Sequence, residues 1–220
     1  MVKTKKKNFS LTALPFLVLS IFLNIFFFTK INNTSKINLV ERVIDGDTFV
    51  LSFGQRVRLR SIDSPEIGFC GSEEAKIALE KLILGKRVVL DDFFTDEYGR
   101  VVAFVYSGKN FINKQIVDQG WAKFDSNKSD QSEILKQAYQ EAQNNHLGIF
   151  SSLCRQTTNP DNPDCKIKGN LEKNDTEKRY FVPGCQSYDH TIVEKNIGEE
   201  WFCTEKEALT KGYKKGPNCP

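Results

Sequence analysis

The sequence predicts a small α+β domain on a five-stranded Greek-key barrel of the OB-fold class. Three observations carry the prediction. Residues 38–156 contain five β-branched or alternating runs, three helical segments fall among and after them, and glycine turns punctuate the series. Residues Ile37–Ile44 and Thr48–Phe53 read as strands joined at Asp45-Gly46. Phe53-Gly54-Gln55 is a tight turn into a third strand, Arg56–Ile62. Its alternation puts Val57, Leu59 and Ser61 on one face, with Arg56, Arg58, Arg60 and Ile62 on the other. Ser72 is expected to cap a helix whose first turn holds Glu73 and Glu74. Ala75, Leu79, Leu82 and Ile83 form its apolar stripe, and Gly85 stops it. Arg87–Leu90 and Val101–Tyr106 are the remaining strands, with Tyr98-Gly99 in the turn region between them. Ile112–Gln119 reads as a short helix ending at Gly120. Asp130–Asn144 reads as a more polar helix with Ile134, Leu135, Ala138 and Ala142 facing inward.

Charge divides the 220 residues more sharply than length does. Residues 1–37 carry six lysines and no acid, residues 38–156 carry 15 basic against 17 acidic side chains, and residues 157–220 carry 10 against 11. The formal +3 therefore belongs to the N-terminal segment, and net charge gives no support for non-specific nucleic-acid binding by a broad basic patch. No charged residue occurs from Asn8 through Thr29. A helix of that length, at about 1.5 Å per residue, spans roughly the 30 Å hydrocarbon core. A transmembrane signal-anchor over about residues 9–29 is expected, its lysine-rich N-terminus cytoplasmic and the rest of the chain extracytoplasmic. The rival is secretion after signal cleavage, but Phe26 to Phe28 run into Thr29-Lys30 with no small-x-small site. Residues 31–37 read as a tether. The six cysteines all lie beyond the apolar run, an even set that favours disulfides outside the cytoplasm.

After Cys154 the texture changes. Residues 157–164 contain Asn-Pro and Asp-Asn-Pro and no apolar side chain, which reads as a linker. Residues 165–220 hold four cysteines and few aliphatics, near the size at which a core needs staples. Cys70 precedes the first helix and Cys154 follows the last, so the two are expected to pair. His146 and His190 stand apart in the sequence, and solvated or capping roles fit them better than catalysis.

The chemistry concentrates in Asp45-Gly46-Asp47-Thr48, in Arg58-Leu59-Arg60-Ser61-Ile62-Asp63-Ser64-Pro65-Glu66, and in Asp96-Glu97-Tyr98-Gly99-Arg100. Each piece alone is usually a turn or a loop. Together they hold carboxylates for a hard metal, a carboxylate base and two guanidinium forks for phosphate, the parts needed to cut a phosphodiester. Arg58 and Asp63 are an odd number of residues apart, which in a regular strand points them to opposite faces. Asp63 sits where the strand runs out at Ser64-Pro65, so that rule need not bind it.

In the order and spacing of these motifs, from about Leu39 to Ser152, the chain resembles the staphylococcal nuclease (thermonuclease) family. The resemblance implies that Asp47 and Asp63 ligate Ca²⁺ through carboxylates, with the backbone carbonyl of Ser64 as a third protein ligand. Water and substrate phosphate would complete the six to eight oxygens calcium takes. It implies Glu66 as general base for the attacking water, and Arg58 and Arg100 as the grip on the phosphate and its developing charge. Losing one such donor costs roughly 3–4 kcal/mol of transition-state stabilisation by analogy with other preorganised sites. Tyr98 is retained as a stacking platform for substrate. The chain departs from the family's type protein at Phe49, where an aliphatic residue is usual, and at Ser64, where threonine is. The short loop Ile67-Gly68-Phe69-Cys70-Gly71 lacks its lysines, and Phe124-Asp125-Ser126-Asn127 lacks its tyrosines.

The last 55 residues or so look like the small module found on exported nucleases, distantly similar to a four-cysteine zinc domain of DNA-alkylation repair proteins. Only Cys185 and Cys219 match that domain's ligands. Phe181 and Gly216 occupy the other two positions, and the chain has no C-x-x-C pair, so two disulfides are preferred over zinc. Four cysteines allow three pairings, of which Cys185–Cys219 with Cys165–Cys203 is preferred. The resulting expectation is a membrane-anchored, calcium-dependent nuclease acting on DNA and, by extension, RNA, with no protein partner implied. The alternatives are a non-catalytic nucleic-acid-binding OB module and a cell-envelope-binding protein with an ancillary nuclease.

Overall fold

The computed structural model describes residues 20–22, 38–125, 129–171 and 177–220. Apart from residues 20–22, the expected anchor and tether lie outside the described residues. Among those described, no helix is long and apolar enough to cross a membrane.

Strands β1 (Val40–Val43), β2 (Thr48–Leu51) and β3 (Arg56–Leu59) form an antiparallel meander. A two-residue strand β4 (Ile62–Asp63) and helix α1 (Ser72–Ile83) follow. Strands β5 (Val89–Thr95) and β6 (Val101–Ser107) make a hairpin, and β6 lies parallel to β3. The sheet order is therefore β1-β2-β3-β6-β5. It closes on itself through a bridge between Leu39 and Arg87, reinforced by hydrogen bonds from Val40 N–H to Lys86 O (2.9 Å) and Val88 N–H to Asn38 O (3.0 Å). Closure removes the sheet edge and makes the barrel. After it come β7 (Asn110–Phe111), α2 (Ile112–Asp118), β8 (Lys123–Phe124), which pairs with β4, and α3 (Ser132–Asn144). Phe49, Val57, Leu59, Leu79, Ala103, Val105, Ile116 and Leu135 fill one buried core beneath the strands and three helices.

The third strand does not run unbroken to Ile62 as its alternation suggests. Ser61 adopts a positive φ of 60°, and this single left-handed residue resets the register. Leu59 and Ile62 are both buried despite their odd separation, and Asp63 swings to the side of Arg58. Asn113 holds the kink. Fully buried on α2, it donates through Nδ2 to Arg60 O (2.9 Å) and accepts from Val105 N–H through Oδ1 (2.9 Å). Asn113→Ala leaves a buried carbonyl and a buried N–H without partners, and should lower unfolding free energy by about 1–3 kcal/mol in urea denaturation. A loss within error would show the kink to be self-sustaining.

Three other expectations are corrected. Ser72 is the first helical residue and not the cap; the cap position is Gly71 in the left-handed region, and Ser72 Oγ accepts from Gly68 N–H at 3.3 Å. Ile134 points outward, because only Leu135, Ala138 and Ala142 of α3 reach the core. The strand expected over Arg87–Leu90 begins at Val89, after the closing bridge, and extends to Thr95 across an irregularity between Asp91 and Phe94.

The chain beyond Cys154 packs against the barrel domain. Strand β9 (Arg155–Gln156) leaves that domain, and residues 157–164 form an irregular connection turned by Asn159 Oδ1, which accepts from Asp161 and Asn162 N–H. Strands β10 (Ile167–Leu171) and β11 (Lys178–Phe181) pair antiparallel. Strand β12 (Val193–Glu194) returns to pair with β9, and β13 (Trp201–Phe202) pairs with β10. Helix α4 (Glu205–Thr210) carries a capping box of Thr204 and Glu207, and β14 (Lys214–Lys215) runs parallel to β11. Among the described residues, Ile167, Tyr180, Phe202, Ala208 and Tyr213 form the buried cluster of this module.

Disulfides join Cys70 to Cys154, Cys165 to Cys203 and Cys185 to Cys219. Among the described residues no three His, Cys, Asp or Glu side chains cluster as a metal site. At the two positions where the zinc domain would carry its other ligands, the Phe181 ring covers Gly216 so closely that a Cβ there would stand 2.4 Å from it. A packed ring and a disulfide thus occupy the place of four thiolates.

Candidate active site

The site begins in the β1–β2 turn. Asp45 Oδ1 accepts from the N–H of Asp47 (3.0 Å) and of Thr48 (2.7 Å), which folds the turn from within. Gly46 is needed for close approach. A Cβ there would lie 2.5 Å from the Ala75 Cβ and 2.8 Å from the Ser64 Cβ, so the turn presses against α1 and the loop after β4. Asp47 is thereby driven against Ser64.

The Asp47 carboxylate is buried and saturated. Oδ1 accepts from Thr48 Oγ1 (2.8 Å) and Arg58 Nη1 (2.7 Å), and Oδ2 accepts from Ser64 N–H (3.0 Å) and Ser64 Oγ (3.1 Å). The other fork of Arg58, Nη2, reaches Asp63 Oδ1 at 2.6 Å. One guanidinium therefore bridges the two acids. Burial pushes the Asp47 carboxyl up, to about 6, against the opposing pull of Arg58 and the Ser64 N–H.

Glu66 lies three residues beyond Asp63 on the same loop and is exposed. Among the described residues, nothing donates a hydrogen bond to its carboxylate. Arg100 sits at the foot of β6. Because Val102 pairs with Arg58 in the parallel β3–β6 register, Arg100, two residues earlier, projects from the same face of the sheet. Asp96 fixes it: Oδ1 accepts from the Arg100 N–H (2.9 Å) and Oδ2 from Arg100 Nε (2.8 Å), leaving the terminal nitrogens of the fork to face outward. Tyr98 is 73% exposed beside it, with the guanidinium carbon 5.3 Å from the ring centroid. Asp47, Arg58, Asp63 and Ser64 are thus joined by direct contacts with Glu66 on their loop, whereas Arg100 and Tyr98 form a second group held by Asp96.

Residue-by-residue reading does not reveal the supporting groups. Thr48 follows Asp47 in the motif and appears only as a strand residue, yet its hydroxyl orients the buried carboxylate. Asp96 carries a four-residue spacing to Arg100 that signals an ion pair. Lys123 and Arg155, which converge on Glu194 at 3.4 and 3.0 Å, have no sequence signal, since β8, β9 and β12 are two residues each.

The family model described as staphylococcal nuclease homologue matches residues 56–152. That span contains Arg58, Asp63, Ser64, Glu66 and Arg100. The thermonuclease of Staphylococcus intermedius is 33% identical over 125 residues, covering 51% of this chain and 74% of that protein. Protein ParB of Escherichia coli is 34% identical over 126 residues, covering 51% and 71%. A probable staphylococcal-like nuclease of rice, CAN2, is 38% identical over 76 residues, 34% of this chain. The chain spans only between 20% and 35% of the length of the first plant relatives it matches. Two bacterial matches cover more than two thirds of their own proteins at 33% and 34% identity, and the family model runs through the Arg58–Glu66 loop and the Arg100 hairpin; the chain belongs to the staphylococcal nuclease family.

Proposed function

We propose that this protein is a calcium-dependent nuclease that hydrolyses phosphodiester bonds of DNA and RNA. The observation that carries the reading is the Asp47–Arg58–Asp63 chain with an unengaged Glu66 on the same loop. A non-catalytic binding module has no use for that arrangement.

The donor set fits a hard cation. Asp47 and Asp63 already converge on one positive group, and every protein donor is oxygen: two carboxylates and the Ser64 carbonyl. When bound, calcium supplies Lewis-acid charge at the phosphoryl oxygen and organises water about it. Arg58, whose fork spans the two acids, would supply its guanidinium charge to the phosphate beside them. Glu66 takes a proton from the attacking water, because its carboxylate has no competing donor. Arg100, locked by Asp96 through Nε, presents its terminal nitrogens to the charge that grows on the phosphorus oxygens.

A plasmid and RNA degradation assay with calcium and with chelator tests the reading. Rapid degradation in calcium and none in chelator is expected; full activity in chelator would overturn calcium dependence. Proton and cation compete for Asp47. The group's raised value means the acid form persists to higher pH than in an ordinary aspartate, so calcium affinity should fall as pH drops through about 6. Calorimetric titration at pH 5 and 7.5 reads this directly, and equal affinity at both would reject it.

The charge-free run Asn8–Thr29 and the disulfides support a catalytic domain held outside the membrane by an uncleaved N-terminal anchor. Recovery of the intact chain in the soluble fraction after cell breakage would refute the anchor.

A further inference from the structure

The charge-free run ends at Thr29 and the described barrel begins at Asn38, with residues 30–37 between them. Eight residues, fully extended, reach at most about 29 Å. That is about the diameter of a small domain. With the run set in a bilayer, the side of the barrel where the chain enters cannot turn away from the lipid surface.

Hydrogen bonds define that side. Asn38 O accepts from Val88 N–H (3.0 Å), Leu39 O from Ser52 N–H (2.8 Å) and Val40 O from Gly85 N–H (3.0 Å). The tip of the β2–β3 hairpin, the turn after α1 and the start of β5 therefore surround the entering chain. Each presents an apolar side chain outward: Phe53 is 81% exposed, Leu84 44% and Val89 61%. Packing gives no reason for Phe53. It holds a φ of 75°, next to Gly54 at 82°, in a region that Gly and Asn adopt readily and a bulky side chain does not. A strained aromatic held out in water at a hairpin tip contributes nothing to the barrel core and is placed for a contact outside it.

The charge around the entry suits phosphate headgroups. Lys81, Lys86 and Arg87 are exposed there, against the exposed Glu41 on β1 and the half-buried Glu80. Lys86 Nζ donates to the α1 carbonyls of Lys81 (3.2 Å) and Leu82 (2.8 Å), which keeps its charge at this end of the helix. Lys30 and Lys36 of the tether add two more.

We propose that Phe53, Leu84 and Val89 seat in the interfacial layer of the bilayer, with Lys81, Lys86 and Arg87 toward its phosphates, so that the domain rests on the membrane in one orientation. The proposal rests on the anchor reading above. Apolar side chains flanked by Lys and Arg are how surface elements sit at the headgroup boundary. The short tether delivers this patch to lipid before any other occupant. The β1–β2 pairing puts the Asp45–Thr48 turn at the opposite end of that hairpin, about 15 Å along the strands at roughly 3.3 Å per residue. Resting on the entry end therefore places the Asp47 turn on the side away from the lipid.

The test uses the full chain reconstituted in vesicles of phosphatidylcholine with a minority of phosphatidylglycerol, with and without acyl-brominated lipid, which quenches nearby tryptophan. Phe53→Trp keeps an aromatic at the hairpin tip. Relative to the unsubstituted chain, whose Trp121 and Trp201 are half-buried, the emission added at position 53 should fall by about half in brominated vesicles. Ile67→Trp, at a 73% exposed position on the loop after Glu66, should lose none. Val89→Trp gives the same reading from β5 if Phe53→Trp does not fold. Flotation with carbonate-washed vesicles reports separately on the anchor. A chain that floats without bromine quenching at position 53 or 89 overturns the proposal and leaves the anchor standing. Equal quenching at position 67 overturns it too, since no orientation is then preferred. Shielding of position 53 from aqueous iodide without bromine quenching assigns the patch to a protein surface, with the same consequence. A chain that does not float removes the anchor and the proposal with it.

Discussion

Glu66→Gln is expected to lower turnover on DNA by roughly 10²–10⁴-fold, the usual contribution of a positioned general base, with little change in KM. The clean separation follows from how Glu66 is placed. Its side chain is exposed and accepts no hydrogen bond from any described residue, so the amide disturbs no packing and orphans no buried donor. The effect should therefore fall on kcat alone, with thermal unfolding unchanged. Arg100→Ala makes the instructive contrast. Its guanidinium is tied to Asp96 and stands beside Tyr98, so removal both withdraws charge stabilisation, about 10²–10³-fold, and loosens the β5–β6 turn. Arg100→Lys keeps the charge but cannot hold Asp96 through Nε and present a fork at the same time, so it should recover little of the activity. Steady-state kinetics on a short single-stranded substrate separates these cases. A Glu66→Gln protein with turnover within about threefold of the parent would assign the base elsewhere.

The catalytic loop was legible because its chemistry is local. Asp47, Asp63 and Glu66 lie within 20 residues, and period-2 burial of Val57 and Leu59 reports the strand beneath them. What the pattern hides is the break. A serine at positive φ carries no sequence mark, yet Ser61 turns an odd spacing into a shared face and brings Asp63 to Arg58 at 2.6 Å. Ile134 stays outside because the buried stripe of this helix is narrow, Leu135, Ala138 and Ala142 at three- and four-residue spacing, and Ile134 lies one position off it. The docking of the C-terminal module was not legible at all. It depends on strands of two residues, on a ring seated over Gly198, and on charges whose partners lie 20 or more residues away. Long-range polar pairing leaves no periodicity to read. The cysteines are the exception, since their chemistry narrows the partners to one another.

Replacing both Cys70 and Cys154 with serine should cost about 2–5 kcal/mol and lower the melting temperature by on the order of 10 °C. The separation of 84 residues makes the unfolded-state term large, and Cys154 is fully buried, so the cross-link also fills space. The effect on function should exceed the effect on stability. Three chain segments meet at this bond: the loop that carries Glu66, the end of the barrel domain, and the module, whose Lys195 N–H donates to Cys154 O at 2.8 Å while its carbonyl accepts from Cys70 N–H. Without the bond, the module is held beside the loop by weaker ties: the two-residue β9–β12 pairing, the Phe69 ring on Gly198, the backbone bonds of Lys195 and the Glu194 ion pairs. The folded variant should then show a raised KM for DNA, measured well below its own melting temperature, with a smaller loss of kcat on a minimal phosphodiester. If stability falls while KM is unmoved, the bond staples the fold but does not set the distance between the catalytic loop and the module facing it.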